Sequence, residues 1–488
     1  MGEIFLITFK EVAVLDKNSE YLGVPTSTLM ENAGKKVYEK ILEKFDVKNK
    51  KVILFCGLGN NGGDGFVAAR YLSEVAEVGV VLAGNVEKIK SNLARTNFEK
   101  IEKLERVKIF YSFDNESKKF LEESVVVIDA LFGVGIAGEI KEPYYSLIKA
   151  MNESWKPIVS VDVPSGLGTK MVVRPKITVT FHDLKEGMNS ENSGEIIVVD
   201  IGIPKEAETH TGPGLMVYYP IPSPDSHKGM NGMVLVVGGG PYSGAPALAA
   251  YAAYRTGVDI VRIATPCNTY PIIASFSPNF IVSPLIRNVL TAEDLDRVVD
   301  LAKKVNTIII GPGLGNLPQT KKAVQEIIRE RGENSFVIDA DAIEAVADDM
   351  TCLKGRQGVI TPHLVEFEKL LGKQPAKNFE ERIKQAMELA NRTGFTILLK
   401  GKIDIITDGK RVKLNKTGNP GMTVGGTGDV LTGIVAGLLS KGVSPFHAAC
   451  LGAFINGYSG DLAFKEFGYS LLATDVIEMI PKTIMRFL

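Results

Sequence analysis

The residues best suited to chemistry lie at positions 419–429, whose sequence is NPGMTVGGTGD. The final Gly-Gly-Thr-Gly-Asp directly precedes an apolar run, residues 430–439, and predicts a glycine turn that opens a helix. Asp429, at the end of that turn, could take a proton from an attacking hydroxyl group. The backbone amides that would face a phosphoryl group under transfer are those of Gly426, Thr427 and Gly428. The alternative, a glycine turn in which Asp429 only caps the helix, stays open.

A second glycine-rich segment, NNGGDG at residues 60–65, lies between an apolar run (52–56) and a helical pattern (66–72). It predicts a turn whose amides, together with the start of the helix, bind a phosphate group. It is neither the GxGxxG fingerprint nor a Walker A loop, because no Gly-Lys-Ser/Thr follows. The alternative is a tight turn with Asp64 as its cap.

Two aspartates follow predicted strands directly: Asp129 after residues 125–128 and Asp162 after residues 158–161. A carboxylate at this end of a parallel strand faces the crevice in which open sheets bind ligands. Each could therefore be a general base or a cation ligand, or could simply cap a turn. The side chains of Asn61, Asp129 and Ser165 would bring only oxygen atoms to one crevice, which suits potassium or magnesium and not zinc.

Other polar residues of the second half follow apolar runs in the same way. His363 and Glu366, in TPHLVE, lie on a loop entering a helix; we interpret them as substrate-binding, although a lone histidine is commonly structural. Lys400 could meet a phosphate as a point charge or be a solvated lysine. The GPGLG segment at 311–315 could let a substrate approach the backbone closely or could form a plain turn.

The elements that must position these residues alternate between short apolar runs and helical patterns, which predicts parallel sheets with crossover helices. Because the loops of the two halves differ, the chain is predicted to contain two different α/β domains. The segment YPIPSPD at 219–225 has three prolines at alternate positions and predicts a stiff connector. The predicted domains are therefore residues 1–218 and 226–488.

Composition narrows the function classes. The 488 residues include 56 Lys and Arg and 57 Asp and Glu, so the net charge is close to zero. This balance argues against a protein that relies on a strong overall positive field to bind nucleic acid or an anionic membrane. No apolar stretch reaches the roughly 18 residues of a membrane span. The four dispersed cysteines are predicted to be reduced core residues of a cytoplasmic protein. Gly accounts for 49 residues, and many of them follow apolar runs, where glycine loops bind phosphate.

Taken together, these segments resemble the bifunctional NAD(P)H-hydrate repair enzymes, in which an NAD(P)H-hydrate epimerase domain is fused to an ADP- or ATP-dependent NAD(P)H-hydrate dehydratase domain. The resemblance covers about residues 8–215 and 225–485. It rests on segments 29–34 (LMENAG), 59–65, 129–135, 161–166, 227–229 (HKG), 238–246, 311–315, 361–366 and 419–429.

The resemblance implies a Rossmann-like three-layer epimerase domain and a ribokinase-like α/β dehydratase domain. The implied substrate is NADH or NADPH hydrated at C6 of the nicotinamide ring. The epimerase would interconvert the R and S hydrates. The dehydratase would phosphorylate the S hydrate and eliminate phosphate, converting ADP to AMP with magnesium on the nucleotide. A potassium ion in the epimerase domain and a homo-oligomer, a tetramer or larger, are also implied.

Site residues follow from the resemblance by motif. In the epimerase domain Asp162 matches a substrate-contacting acid and is the candidate acid–base group, and Asn61, Asp129 and Ser165 match the potassium ligands. Residues implied to bind the hydrated dinucleotide are Asn60, Asn61, Gly62, Gly63, Asp64, Gly133, Val134, Gly135, Ile136, Ala137, Gly138 and Glu139. In the dehydratase domain Asp429 matches the catalytic base, and Ala245, Gly313 and His363 are implied to touch the hydrate. Residues implied to bind the nucleotide are Lys400, Gly401, Lys402, Ile403, Asp404, Gly426, Thr427 and Gly428.

Two alternatives remain at this stage. A small-molecule kinase would need the same Gly-Gly-Thr-Gly-Asp loop, because both chemistries begin with phosphorylation of a hydroxyl group, although the attached NNGGDG domain argues against it. A non-enzymatic first domain could instead scaffold partners or RNA.

Overall fold

The computed structural model describes residues 7–136 and 138–488. It divides the chain into two compact units, Met1–Ala207 and Glu208–Leu488. Each unit has its own parallel sheet, so the prediction of two different α/β domains is confirmed.

The first unit is built on a seven-stranded sheet in which every neighbouring pair is parallel, with the order β3-β2-β1-β4-β5-β6-β7. Its strands are β1 (Lys51–Cys56), β2 (Glu77–Leu82), β3 (Val107–Phe110), β4 (Ser124–Ala130), β5 (Ile158–Val161), β6 (Ile177–Phe181) and β7 (Glu195–Val199). The order reverses between β1 and β4, and a crevice at the carboxyl ends of these strands is the expected ligand site of such a sheet.

Helices cover both faces of this sheet. The helices are α1 (Phe9–Tyr21), α2 (Thr26–Lys44), α3 (Asn60–Leu72), α4 (Asn92–Ile101), α5 (Asn115–Glu123), α6 (Tyr144–Glu153), α7 (Ser190–Ser193) and α8 (Lys205–Thr209). Successive side chains of a strand point to opposite faces, so Leu54 packs in the core beneath α2 and α3 while Phe55 packs in the core beneath α5 and α6. Burial on both faces explains why the strands are continuous apolar runs.

The second unit contains a nine-stranded sheet with the order β10-β9-β8-β11-β12-β13-β14-β15-β16, parallel except for the antiparallel pairs β14-β15 and β15-β16. Its strands are β8 (Met233–Val237), β9 (Ile260–Thr265), β10 (Ile281–Pro284), β11 (Thr307–Ile310), β12 (Ser335–Ile338), β13 (Gln357–Ile360), β14 (Thr396–Leu399), β15 (Asp404–Thr407) and β16 (Val412–Asn415). Here the order reverses between β8 and β11, which predicts a second ligand crevice.

This sheet is also covered by helices on both faces. The helices are α9 (Gly244–Arg255), α10 (Tyr270–Phe276), α11 (Leu295–Ala302), α12 (Pro318–Glu330), α13 (Asp341–Asp348), α14 (Leu364–Leu371), α15 (Phe379–Thr393), α16 (Thr427–Ser440), α17 (Pro445–Phe467) and α18 (Ala473–Phe487). Helix α16 packs against α9 and α17 and crosses the central strands, which explains its continuous apolar sequence.

The strands predicted from apolar runs are confirmed, but residues 60–65 differ from the prediction. They are the first turns of α3 and not a turn that precedes it. The sequence signal pointed to a turn because glycine is unfavourable inside helices, and here the demand for close packing overrides that preference.

The boundary between the units also falls earlier than the predicted domain ends. It lies within α8, and residues 208–218, which the sequence assigned to the first domain, pack with the second unit. Thr211 joins β16, since its amide donates to the Leu414 carbonyl (2.8 Å), and Tyr218 stacks on His447. The proline-rich segment 219–225 begins as part of the second unit, because the Tyr219 hydroxyl donates to the Thr256 carbonyl (3.1 Å).

Two remaining expectations concern cysteines and membranes. Cys56, Cys352 and Cys450 are buried and unpaired as predicted, whereas Cys267 is exposed and donates toward Asn288. Among the described residues, no helix combines the length and apolar character that crossing a bilayer requires.

Candidate functional site

The glycines of residues 60–65 bring the start of α3 against the ends of β1 and β4. A Cβ atom at Gly62 would lie 2.0 Å from the Gly57 carbonyl oxygen, and one at Gly65 would lie 2.7 Å from the Ala130 Cβ atom. Gly63 likewise leaves room for the Met30 side chain of α2. The first amides of a helix have no intrahelical acceptor, so this close approach presents them at the crevice, where an anion would sit.

The three residues predicted to hold a cation do converge. Asn61 begins α3, Asp129 lies near the end of β4 and Ser165 follows β5. Asp129 is fully buried and accepts hydrogen bonds from the Ser165 hydroxyl (2.5 Å) and amide (2.8 Å), and the Ser165 hydroxyl accepts one from the Phe132 amide (2.9 Å). Burial raises the pKa of Asp129, while these hydrogen bonds act in the opposite direction.

One oxygen at this place lacks a partner. The Asn61 amide nitrogen donates to the Phe132 carbonyl (2.8 Å), but the buried Asn61 Oδ1 atom accepts no hydrogen bond from any residue that the structure describes. A buried acceptor without a donor is costly, and a cation would satisfy it. The oxygen-only set therefore fits a hard cation such as potassium.

Asp162 is held by a buried lysine that sequence reasoning missed. The Lys185 Nζ atom lies 2.7 Å from Asp162 Oδ1 and 3.1 Å from the Thr180 hydroxyl, and Lys185 is 2% exposed. Asp162 itself has φ +64, a left-handed conformation that residues other than glycine rarely adopt and that is concentrated at functional sites. A buried ion pair in a strained backbone position is typical of a site that is positioned for chemistry.

Two more carboxyl groups surround this ion pair. Burial, together with the Asp162 charge, raises the pKa of Asp16 to about 6, and Lys185 acts in the opposite direction. Burial and the charges of Asp162 and Asp16 raise the pKa of Asp64 well above its ordinary value. Asp64, predicted to bind the dinucleotide or to cap the turn, is therefore part of a cluster of three carboxyl groups and one ammonium group.

The loop predicted to bind the dinucleotide, residues 133–139, starts beside the cation site and then runs along the surface. A Cβ atom at Gly133 would lie 3.6 Å from the Asn61 Cβ atom, and residues 135, 136, 138 and 139 are exposed. Ala137 lies outside the described residues. The position of the loop leaves it available to a ligand bound at the start of α3.

In the second unit, loops from three neighbouring strands meet at the predicted crevice. Gly313 has φ +70, and a Cβ atom there would lie 2.5 Å from the Tyr242 carbonyl oxygen in the loop that leads to Ala245. The Gly315 amide donates to Asp341 (2.8 Å) after β12. These contacts place Gly313 beside the loop that leads into α9, where Ala245 lies in the first turn; both residues are predicted to touch the hydrate.

Lys400 lies beside the start of α16. Its Nζ atom is 2.9 Å from Asp339 Oδ1, and the Thr432 hydroxyl donates to Asp339 Oδ2 (2.7 Å). A Cβ atom at Gly428 would lie 3.5 Å from that Nζ atom, so the ammonium group and the first amides of α16 face the same space. Although burial disfavours its charged form, the carboxylates Asp339 and Glu366 raise the pKa of Lys400, which keeps it cationic.

Asp429 stands next to these amides on the first turn of α16. Burial, followed by the charge of Asp339, raises the pKa of Asp429 to about 7, while Lys400 acts in the opposite direction. A carboxyl group with a pKa near neutrality is well matched to take up and release protons. Helix α16 does begin at Thr427, which confirms that the glycine turn opens a helix.

His363 caps α14, which is a structural role of the kind that a lone histidine commonly has. Its Nδ1 atom accepts from the amides of Val365 (3.2 Å) and Glu366 (3.3 Å), and its own amide donates to Glu366 (2.8 Å). Burial, with Lys400 nearby, lowers the pKa of His363, and burial raises the pKa of Glu366 to about 7. The ring remains about half exposed, so the cap does not remove it from a ligand.

The segment 400–404 and the segment before α16 are each held by one aspartate. Asp404 accepts hydrogen bonds from the Gly401 amide (2.9 Å) and from Asn415 (2.9 Å), so its carboxylate is engaged with other parts of the protein. Lys402 and Ile403 lie in the turn between Gly401 and Asp404. Asp461 of α17 accepts from the Gly418 amide (3.1 Å) and from Asn419 (3.0 Å). Asp461 is therefore a positioning residue for the loop that carries the anion-binding amides.

Sequence reasoning did not single out several of these residues as functional: Asp16, Lys185, Asp339, Asp341, Thr432 and Asp461. Asp339 had a usable signal, because it follows the apolar run 336–338 in the same way that Asp129 follows its strand. Asp16 and Lys185 had no such signal, since each is a charged residue in a segment without a recognisable motif and meets its partners only through the fold.

These two crevices define a bifunctional α/β protein of the epimerase–dehydratase class. Comparison with known proteins supports the same class. A family model described as NAD(P)H-hydrate dehydratase matches residues 233–482, and one described as YjeF-related protein N-terminus matches residues 26–187. The bifunctional NAD(P)H-hydrate repair enzyme Nnr of Pyrobaculum aerophilum is 41% identical over 99% of this chain and 98% of its own length. That of Methanothermobacter thermautotrophicus is 42% identical over 98% of this chain and 95% of its own length.

The chain therefore belongs to the family of bifunctional NAD(P)H-hydrate repair enzymes. Among solved structures, a ribokinase-like superfamily protein from Enterococcus faecalis V583 is 23% identical with a TM-score of 0.50, covering 57% of this chain and 96% of its own. That likeness concerns the fold alone and agrees with the ribokinase-like fold expected for the second unit.

Proposed function

We propose that this protein repairs NADH and NADPH that have been hydrated at the nicotinamide ring, with the epimerase in the first unit and the dehydratase in the second. The observation that carries the proposal is the presence, in each unit, of a glycine-rich helix start beside carboxyl groups with raised pKa values. Anion-binding amides suit a dinucleotide or ADP, and proton-carrying carboxyl groups suit both reactions.

In the epimerase site, the dinucleotide phosphates would bind the start of α3, at Asn60, Asn61, Gly62 and Gly63, with residues 133–139 along the ligand. Asp162 would exchange a proton with the hydroxyl group on the hydrated carbon. Potassium is proposed at Asn61, Asp129 and Ser165, because the unpartnered Asn61 Oδ1 atom and the all-oxygen set suit a hard cation. Such an ion would fix the geometry of the crevice and offset part of the phosphate charge.

In the dehydratase site, Asp429 would take the proton of the C6 hydroxyl group as its oxygen attacks the terminal phosphate of ADP, and AMP would leave. The amides of Gly426, Thr427 and Gly428, with Lys400, would stabilise the charge on the transferred group. Phosphate would then leave C6 together with a proton from the neighbouring ring carbon, which restores the reduced cofactor.

Magnesium is proposed to enter with the nucleotide. The described part of the chain holds no group of three His, Cys, Asp or Glu residues that could bind a metal ion. The phosphates of ADP would therefore supply much of its coordination, as is common for magnesium. By likeness to the family, we also propose that the protein is cytoplasmic and forms a homo-oligomer, a tetramer or larger.

The test is incubation of purified protein with chemically prepared hydrates, with ADP and ATP in parallel. The S hydrate should regain the absorbance of reduced nicotinamide only when a nucleotide is present, and the R hydrate should regain it faster than its uncatalysed epimerisation allows. Absence of recovery with both nucleotides would contradict the dehydratase assignment. No observation favours the kinase alternative: the family model matched by the second unit is that of a dehydratase.

A further inference from the structure

Helix α1 precedes residues 26–187, the part of the first unit that the epimerase-type family model matches. Its start is tied to the candidate site by backbone hydrogen bonds. The Ile7 amide donates to the Leu184 carbonyl (2.9 Å), and the Glu186 amide donates to the Ile7 carbonyl (3.1 Å), so the chain entering α1 pairs with both neighbours of Lys185.

The same helix also contacts the loop proposed to bind the dinucleotide. Gly135 has φ +95, and a Cβ atom there would lie 2.8 Å from the Phe9 ring at the start of α1. Farther along the helix, the Asn18 amide group donates to the Ala207 carbonyl (3.1 Å), which anchors the other end. Helix α1 therefore lies along one wall of the site and is fixed at both ends.

Asp16 lies on α1 between these anchors and contributes to the carboxyl cluster. The charged groups that interact with its carboxyl group are Asp162 and Lys185, and it in turn interacts with Asp64. It makes no hydrogen bond within the described residues, in contrast to Asp162, whose Oδ1 atom is paired with Lys185. The carboxyl group of Asp16 is therefore partly buried in the charged cluster but available to exchange a proton with a bound ligand.

We propose that Asp16 is the second acid–base residue of the epimerase and that α1 is part of its active site, an inference that rests on the proposed epimerase function. Inversion at a carbon that carries a hydroxyl group beside a ring nitrogen needs a proton donor and a proton acceptor. The donor protonates the departing hydroxyl group, the C–O bond electrons leave with water, and the nitrogen lone pair forms a C=N bond.

The reverse step completes the inversion. A water molecule attacks the opposite face of the carbon, the C=N electrons return to nitrogen, and the acceptor removes the extra proton. One proton is given and one is taken, so the step needs no oxidant or reductant. Asp16 and Asp162 come from different elements, α1 and the turn after β5, so each carboxyl group can act on the ligand separately. The raised pKa of Asp16, about 6, suits a group that must both give and take a proton.

The experiment uses the full chain with Asp16→Asn, and with Glu20→Gln, an exposed carboxylate one turn farther along the same helix, as the matched control. Conversion of R to S hydrate is followed by chromatography without nucleotide, and dehydration of pure S hydrate with ADP is measured in the same preparations. Asp16→Asn should slow epimerisation by about 10²- to 10⁴-fold while S-hydrate dehydration and the control variant stay at the unmodified level.

Epimerisation by Asp16→Asn at a rate within about threefold of the unmodified protein would overturn the proposal, because loss of an acid–base group costs far more. A failure of the unmodified protein to epimerise would instead remove the proposed function itself, so the two failures are distinguishable. Asp16→Glu supplies the second variant: partial recovery of epimerisation supports proton transfer by this carboxyl group, and full inactivity with normal unfolding temperature contradicts it.

Discussion

Two glycine-rich helix starts, one in each unit, use glycine for different reasons. At the start of α3, Gly62 and Gly65 are packed so closely that a Cβ atom would strike neighbouring protein atoms. At the start of α16, a Cβ atom at Gly425 would meet nothing within 4 Å, and one at Gly428 would approach only the Lys400 ammonium group. Gly62 and Gly65 therefore bring protein elements together, whereas Gly425 and Gly428 keep space free for a ligand. Gly426 between them is packed like the first pair, since a Cβ atom there would lie 2.6 Å from the Leu248 side chain.

The acidic residues beside these helix starts differ in the same sense. Asp162 is paired with the buried Lys185, whereas Asp429 forms no salt bridge among the described residues, although the charges of Lys400 and two aspartates act on it. In the two proposed sites, Asp162 is thus held in place as part of a cluster, and Asp429 is left available to accept a proton. The comparison predicts that substitutions in the first site affect folding and activity together, and that those in the second affect activity alone.

Asp429→Asn should have the largest effect on activity. An amide of the same shape cannot take the hydroxyl proton, so S-hydrate dehydration should fall by about 10³-fold with the unfolding temperature unchanged. Steady-state rates with ADP, together with ADP binding by calorimetry, check this. A near-normal rate of dehydration would show that Asp429 is not the base.

Lys185→Met should lower both stability and epimerisation. Removing the ammonium group leaves the Asp162 carboxylate buried without its partner, which costs about 3–5 kcal/mol in the free energy of unfolding. The double variant Asp162→Asn, Lys185→Met should recover most of that stability but no epimerase activity. Denaturant unfolding curves of the unmodified protein and the two variants give the comparison, and equal stability of the single and double variants would contradict the ion-pair account.

Gly62→Ala and Gly428→Ala test the two uses of glycine directly. At Gly62 the added methyl group must displace the Gly57 carbonyl, so stability should fall by about 1–3 kcal/mol. At Gly428 the contact of 3.5 Å is ordinary, so stability should hold while ADP binding weakens. Gly59→Ala, where nothing lies within 4 Å, is the control for helix α3. Equal destabilisation at Gly62 and Gly428 would refute the distinction.

The pH dependence of dehydration should show the smallest effect. Asp429 acts as a base only when deprotonated, and its pKa is raised to about 7. The value of kcat/KM for S hydrate should therefore fall as the pH drops through about 7, approaching tenfold per pH unit below it. A value of kcat/KM that stays constant from pH 7 down to pH 5, about two units below that pKa, would contradict the assignment.

Much of the fold was predictable because parallel strands buried on both faces leave continuous apolar runs. The predicted strand at 158–161 has the bounds found in the structure, and the apolar runs 52–56 and 125–128 lie within β1 and β4. The start of α3 was not predictable, because its helical glycines depend on contacts with Gly57 and Ala130 that no local pattern records. Residues 208–218 were misplaced for a similar reason, since their partner strand β16 lies about two hundred positions farther along the chain.

The candidate sites divide in the same way. Asp129, Asp162 and Asp429 could be proposed from the sequence because each follows an apolar run or stands at a glycine turn that opens a helix. Asp16 and Lys185 were missed because they approach Asp162 from α1 and from the segment after β6, and charge clusters of this kind arise only in three dimensions.

The most direct test of two independent sites is complementation between variants. Asp162→Asn and Asp429→Asn are each incubated with R hydrate and ADP, separately and as a mixture, and recovery of reduced nicotinamide is followed. Each variant alone should recover no more than the rate set by uncatalysed epimerisation or residual dehydration, and the mixture should restore most of the unmodified rate. A mixture no faster than the better single variant would contradict the account.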